Sequence, residues 1–410
     1  MVRQGRGADD GTSPEGNTSS PGDPPASETH GRHLAPTVLL TLVMAWSMLQ
    51  LFAVAALAPL MGPDLGIGPT VLGGAVGAGF AVAALLSPWA GRLVDRWGSR
   101  RCTVGLLLLV AVALGLLAVS RDGVGLALAL VVGGFPQALA NPATNKAILA
   151  SVPAARRPGV IGWKQSGVQV GALVAGLPLV WVATAFDWRT AFAVAAAVAL
   201  LLAVWALVTL PRSGRSAPAS STTSRSAGVV RLAFFSLFLG VGVSSVNSHL
   251  ALFSTSTLEV SSVQAGALVA ILGAAGVVGR IFWTGRASHW GAATLLAPLA
   301  AGAVLGPVLL WASPWVPPLV WGAALVVGGL GVAANAVSMV AVVARSSAAS
   351  VGRATAVVSA GFFAGFAVGP PVLGVLAEAV SYQQAWWWPG VALMIAAVVM
   401  APWERKRRAR

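Results

Sequence analysis

Gln137, Asn141 and Asn145 recur at every fourth residue, so on a helix their amides line up along one stripe. Amides both donate and accept hydrogen bonds, which suits a polar or carboxylate-bearing solute. The same stripe also suits hydrogen bonding between packed helices. Lys164 stands in another apolar stretch, followed by Gln165 and, one helical turn on, Gln169. An ammonium group in hydrocarbon costs about 2.5–3.5 kcal/mol and calls for an anionic partner. The twelve acidic residues all fall in tails, loops or the ends of apolar stretches. Two readings of Lys164 follow. It contacts an anionic solute, or it snorkels to the interface from a point roughly 7–9 Å past Pro158. It is read as the only cation inside an apolar span, unless the helix carrying Lys146 extends past that residue.

Other polar residues inside apolar stretches are Trp46 and Gln50, one turn apart, then Asn247, His249 and Asn335. His249 has the chemistry to carry a proton near neutral pH, although a local hydrogen bond is the plainer use. No phosphate loop, metal-ligand cluster or nucleophile motif is present, so neither enzymatic activity nor a cofactor is expected. A single cysteine, Cys102, excludes an intrachain disulfide.

What must position these groups is a set of membrane helices. Of 410 residues 57 % are hydrophobic and 9 % charged, far fewer charges than a water-facing surface carries. Apolar stretches near the length needed to cross a bilayer are expected at 36–60, 70–90, 102–119, 123–148, 160–184 and 190–210. A second set is expected at 232–254, 263–284, 292–312, 319–344, 354–378 and 386–402. Residues 1–33 read as a disordered tail, 211–231 as a Ser/Thr/Arg/Pro linker and 404–410 as a basic tail. The bundles are then 34–210 and 232–403.

A net charge of +14 would raise the question of nucleic acid, but its distribution argues against that partner. Arginines gather around 92–101, 156–157, 212–231, 286, 345–353 and 405–410, all on one side of a twelve-span layout. The other side holds only Arg121 and Arg189 among acidic residues such as Asp64, Asp122, Asp187 and Glu259. By the positive-inside rule both termini are cytoplasmic. Most of the 16 tryptophans fall at helix ends, where indole suits the interface. The halves also repeat: Gly91 to Gly98 has a degraded counterpart in Gly285 to Gly291, with His289 in place of Asp95. A shift of 194 residues likewise maps Asn141 onto Asn335.

The segment Gly91-Arg92-Leu93-Val94-Asp95-Arg96-Trp97-Gly98-Ser99-Arg100-Arg101 resembles the signature loop of the major facilitator superfamily, with Ser99 as the one departure. Residues 153–159 resemble that family's loop between helices 4 and 5. Two other signatures are missing: an arginine within helix 4 and the Gly-Pro motif of drug antiporters in helix 5. The resemblance implies an all-α membrane protein with two six-helix bundles. It also implies a conformational latch formed by Gly91, Asp95, Arg96, Gly98, Arg100 and Arg101. From the residues alone, Gly91 and Gly98 would allow close approach and a tight turn, and Asp95 would pair with a nearby arginine. Gly361, Gly365, Gly369, Pro370 and Gly374 read as packing and hinge elements of helix 11. The stretch Gly162 to Gly167 is similar to one in bacterial facilitators, some assigned to small organic anions.

The expected function is a secondary carrier in the inner membrane that moves a small organic anion by alternating access. Lys164 would supply charge, Gln137, Asn141, Asn145, Gln165, Gln169, Gln50, Asn247 and Asn335 polar contacts, and Trp46 an apolar wall. The expected partners are a small-molecule substrate and the bilayer, with a coupling ion left open. Efflux of hydrophobic or amphipathic compounds is the alternative. A ligand-binding receptor would need a signalling domain beside the helices, and none is visible.

Overall fold

The computed structural model describes residues 26–153, 157–211, 227–345 and 351–408. Among these residues twelve helices are long and apolar enough to cross a membrane. The first six are α1 (Ala35–Leu65), α2 (Pro69–Trp97), α3 (Ser99–Val119), α4 (Gly123–Ser151), α5 (Val160–Ala185) and α6 (Trp188–Thr209). The second six are α7 (Gly228–Thr257), α8 (Ser262–Ala287), α9 (Ala292–Ala312), α10 (Leu319–Val343), α11 (Ala354–Ala379) and α12 (Tyr382–Ala401). An even number of crossings puts both chain ends on one side, here called the termini face; the opposite side is the far face.

Several helices overrun their expected ends, α1 to Leu65 and α2 through Asp95 and Arg96 to Trp97 among them, and helix enters the expected tails and linker in three places. It begins at Ala26, so 26–33 is helical rather than part of a structureless tail, while residues 1–25 lie outside the described residues. The helix of α7 starts at Ala227, inside the expected linker, whose residues 212–226 also lie outside. The last helix runs to Arg408, through most of the expected basic tail.

Local sequence explains the helix starts. At the far face, Asp122 and Asp187 accept from the backbone N–H of Gly125 (2.8 Å) and Thr190 (2.6 Å) to open α4 and α6. Ser261 and Gln264 form a reciprocal capping box at α8, and Ser381 caps α12. Acidic caps on this face fit the scarcity of basic residues there. At the termini face the tight links into α3 and α9 each rest on a glycine in the left-handed region, Gly98 (φ 84°) and Gly291 (φ 83°). This matched pair is the structural form of the internal repeat.

α1 lies deepest and is apolar around most of its circumference, packing on α3 to α6 in its own half and on α7 and α8 of the other. The far-face end of α1 is tied to α6, where Trp188 Nε1 donates to Asp64 Oδ2 at 2.8 Å and Arg189 lies over the Trp188 ring. α5 and α10 each contain a π-helical segment, Ala175–Leu179 and Val327–Val332.

Besides the contacts of α1, the halves meet along two seams. On one, α2 packs against α11: Gly73 lies on the Pro370 carbonyl, and Gly374 lies on the Pro69 carbonyl. Toward the midplane the Phe80 ring packs at a tilt against Phe366 (4.7 Å between ring centres) and Phe363 (6.0 Å). On the other, α5 runs beside α8, with Gly176 on Gly266 and Gly273 on Ala172. The helix-11 glycine row thus divides its packing. Gly361, Gly365 and Gly369 face α7 of their own half, and Gly374 faces α2 across the seam.

Candidate functional site

The first half carries one continuous polar row, built on α4. Gln137, Asn141 and Asn145 keep their four-residue register although Pro136 and Pro142 lie inside the helix. Toward the far face, Gln50 of α1 donates to the Gly133 carbonyl (2.6 Å), one turn before Gln137. At the termini end the ammonium of Lys164, fully buried on α5, donates to Asn141 Oδ1 (3.0 Å) and Asn145 Oδ1 (2.8 Å). Lys164 therefore turns inward onto the amide stripe. Asn145 is exposed and Asn141 half-buried, so the cluster is reachable. Neither ion pair among the described residues, Lys146–Asp95 or Arg189–Asp64, involves Lys164. The amide oxygens of Gln50 and Gln137 are buried without a hydrogen-bond partner among the described residues.

Lys164 is not the lone intramembrane cation. α4 continues past Lys146, which pairs with Asp95, and α8 contains Arg280, which the sequence reading passes over. Arg280 Nη1 donates to the backbone carbonyl of Gln165 at 3.0 Å, crossing from the second half to the first. Its Nε is buried without a partner among the described residues. A signal was available, since Arg280 breaks the 263–284 apolar stretch as plainly as Lys164 breaks its own.

Gln165 is half-buried and accepts from Arg280 through its main-chain carbonyl. Gln169 is buried with Oε1 unpartnered, facing the site where a Cβ on Gly276 of α8 would stand 3.2 Å away. That same Cβ would be 3.2 Å from Val332 of α10, one turn before Asn335, whose Oδ1 is also unpartnered. α5, α8 and α10 thus converge on a polar patch in the same region of the bundle.

One candidate lies apart from this grouping. Trp46 is directed at α6, where its Nε1 donates to the Ala195 carbonyl at 3.0 Å, a bond inside the first half. Asn247 is buried on α7; His249, two residues further and therefore on a different face, has Nε2 3.3 Å from the Pro69 carbonyl of α2. His249 therefore makes a cross-half contact near the far face, joined there by Glu378, whose Oε1 accepts from the Thr70 N–H at 3.0 Å.

In the signature loop Asp95 pairs with Lys146 of α4 at 3.2 Å, not with an arginine, and the pair lies within one half. Lys146 also donates to the Val94 carbonyl, capping the end of α2. Gly98 makes the turn with positive φ. Gly91 instead sits within α2 with open space around it, so no close approach explains it. Arg96 and Arg101 are exposed and Arg100 half-buried.

The sequence profile of the Major Facilitator Superfamily matches residues 38–346. The hexuronate transporter of Escherichia coli K12 is 29 % identical over 172 residues, 42 % of this chain and 39 % of that one. The galacturonate transporter of Dickeya chrysanthemi is 29 % identical over 169 residues, 41 % of this chain and 48 % of its own. Multidrug resistance protein 1 of Bacillus subtilis is 27 % identical over 231 residues, 54 % of this chain and 59 % of its own. The chain thus spans between 39 and 59 % of the curated relatives it matches. A bacterial homologue of the human lysosomal transporter Spinster, solved inward-facing and occupied, superposes with a TM-score of 0.72 at 16 % identity, over 94 % of this chain and 98 % of that one. A nucleoside transporter superposes at 0.69 and 15 % identity, over 90 % and 99 %. With twelve membrane-length helices, a central polar row and a profile match over most of its length, the chain belongs to the Major Facilitator Superfamily and is a multi-pass membrane protein.

Proposed function

We propose that the protein moves a small organic anion, of the hydroxylated carboxylate class, between its two six-helix halves by alternating access. One observation carries the reading. Lys164 is a fully buried ammonium held by two neutral amide oxygens, with no carboxylate among its described partners. Neutral amides hold the ammonium without cancelling its charge, so a carboxylate arriving beside Asn141 and Asn145 gains a cation already in place. The unpartnered amide oxygens of Gln50 and Gln137 on the same row suit hydroxyl donors of such a solute. The names of the hexuronate and galacturonate transporters, each similar over two fifths of the chain, support the same class. We further place both termini in the cytoplasm, on the side where the arginines gather.

The test is thermal stabilisation of the purified protein across sugar acids, their neutral sugars and amphipathic cations. At ~100 times its dissociation constant a ligand stabilises by about 2.7 kcal/mol. Stabilisation by sugar acids that disappears in Lys164→Gln supports the reading. Carboxylate transport unaffected in Lys164→Gln would overturn it. Stabilisation by amphipathic cations instead, unchanged in the variant, would favour the efflux alternative, in keeping with the name of the multidrug resistance protein it resembles.

A further inference from the structure

We infer that Arg280 is a second anion-contacting residue, aimed by the backbone of the opposite half and offering its free edge to the substrate carboxylate. The inference rests on the anion-carrier reading and deepens it.

Arg280 lies seven residues before the end of α8, roughly 10 Å into the helix at 1.5 Å per residue. It is partly buried, and neither described ion pair includes it. Its one described side-chain bond runs from Nη1 to the Gln165 carbonyl. A guanidinium is a planar fork with five N–H donors, and it binds carboxylates through two parallel bonds. With Nη1 occupied, the edge formed by Nε–H and the neighbouring Nη2–H is the geometry that takes a carboxylate side-on. Nε, the buried half of that edge, is the atom left without a partner. The Gln165 bond fixes the plane of the fork while using one donor of five. A purely structural tie would leave the Nε–H buried and unsatisfied, which is a costly arrangement.

The surroundings fit the remainder of a hydroxylated acid. Gln169 Oε1, beside Gly276 one turn from Arg280, and Asn335 Oδ1 on α10 are acceptors without described partners. Donor and acceptors thus divide as the ligand does, with an anionic end for Arg280 and hydroxyls for the amides. Gln165 adjoins Lys164, so two cations, one from each half, bracket a single turn of α5. Because the fork is aimed by the other half, it is in register only while α5 and α8 are engaged as they are here. Carboxylate binding therefore favours this arrangement of the halves over one in which the seam opens.

The experiment measures galacturonate and galactose binding to the full-length wild type, Arg280→Lys and Arg280→Gln, by thermal stabilisation and by uptake into proteoliposomes. Arg280→Lys keeps the charge and a donor for Gln165 and should fold, but it loses the two-pronged edge. Its apparent affinity for galacturonate should fall at least about tenfold, and its preference for galacturonate over galactose should shrink by the same factor. Galacturonate affinity within about twofold of wild type in Arg280→Lys overturns the inference. So does an Arg280→Gln protein that melts earlier but binds galacturonate unchanged, since Arg280 would then be a strut. Wild type that responds to no sugar acid overturns the carrier reading itself, which the variant results do not touch.

Discussion

Replacing Lys164 with methionine separates a binding lysine from a structural one, because the structure sets the size of the structural effect. Lys164 makes two charge-assisted bonds, 3.0 and 2.8 Å long, to Asn141 and Asn145. Bonds to charged groups contribute about 1.5–3 kcal/mol each. Against them stands about 2.5–3.5 kcal/mol for placing the ammonium at membrane depth. The two amides it leaves are half-buried and exposed, so water takes over their oxygens and little unsatisfied cost remains. Methionine keeps most of the stem volume and opens no large cavity. The gain of about 3–6 kcal/mol exceeds the cost by at most about 3.5 kcal/mol, so Lys164→Met should lower stability by no more than that while sugar-acid binding is lost. Denaturant unfolding in detergent, followed by tryptophan fluorescence, reads the first quantity, and ligand-induced thermal shift reads the second. A loss above about 4 kcal/mol would instead make the lysine a tie on which the first half depends.

Glu378→Gln removes a carboxylate from the start of α2 across the far-face seam, an interaction of about 0.3–1 kcal/mol. Spin-label distances between the far-face ends of α2 and α11 should shift toward separation by about two- to fivefold in population, and an unchanged distribution would remove Glu378 from the seal. Lys146→Ala breaks a partly exposed pair with Asp95 and should cost no more than about 1 kcal/mol in unfolding experiments. The hydrogen bond from the Thr190 backbone N–H, helped by one from its hydroxyl, holds the Asp187 carboxyl below its ordinary range. A depressed value in the folded state means that the contribution of this cap is present above about pH 4 and fades as pH falls through the folded value. Asp187→Ala should therefore flatten the acid limb of the stability profile, which a melting series from neutral to acidic pH would show.

The twelve spans were legible because each is a long apolar run, and the amide stripe because a four-residue repeat survives any straight helix. Lys164 was legible as a cation, but its direction was not. Snorkelling and inward turning share one sequence, and only the placement of Asn141 and Asn145 beside α5 decides between them. Trp46 shows the opposite case. Its position one turn from Gln50 suggests a shared face, yet the two side chains bond to α6 and α4. The π-helical segments of α5 and α10 shift the facing of residues beyond them, which periodicity counted at 3.6 does not register. Asp95 found a lysine fifty-one residues away, a pairing that depends on how α2 and α4 lie together. The helical stretch at 26–33 was missed because its polar composition gave no apolar period to read.

The far-face seam between α2 and α11 has a consequence for the energy balance of the membrane. Gly73 and Gly374 bring main chain onto the carbonyls of Pro370 and Pro69, so little room is left there for a file of water molecules. A bilayer that stores an electrochemical gradient loses it through any wetted thread that conducts protons. Backbone contact seals without relying on a particular rotamer, so thermal motion of side chains does not intermittently breach it. Stepwise widening of that line, as by Gly73→Ala, should appear first as a rise in passive proton conductance of proteoliposomes, before any loss of transport.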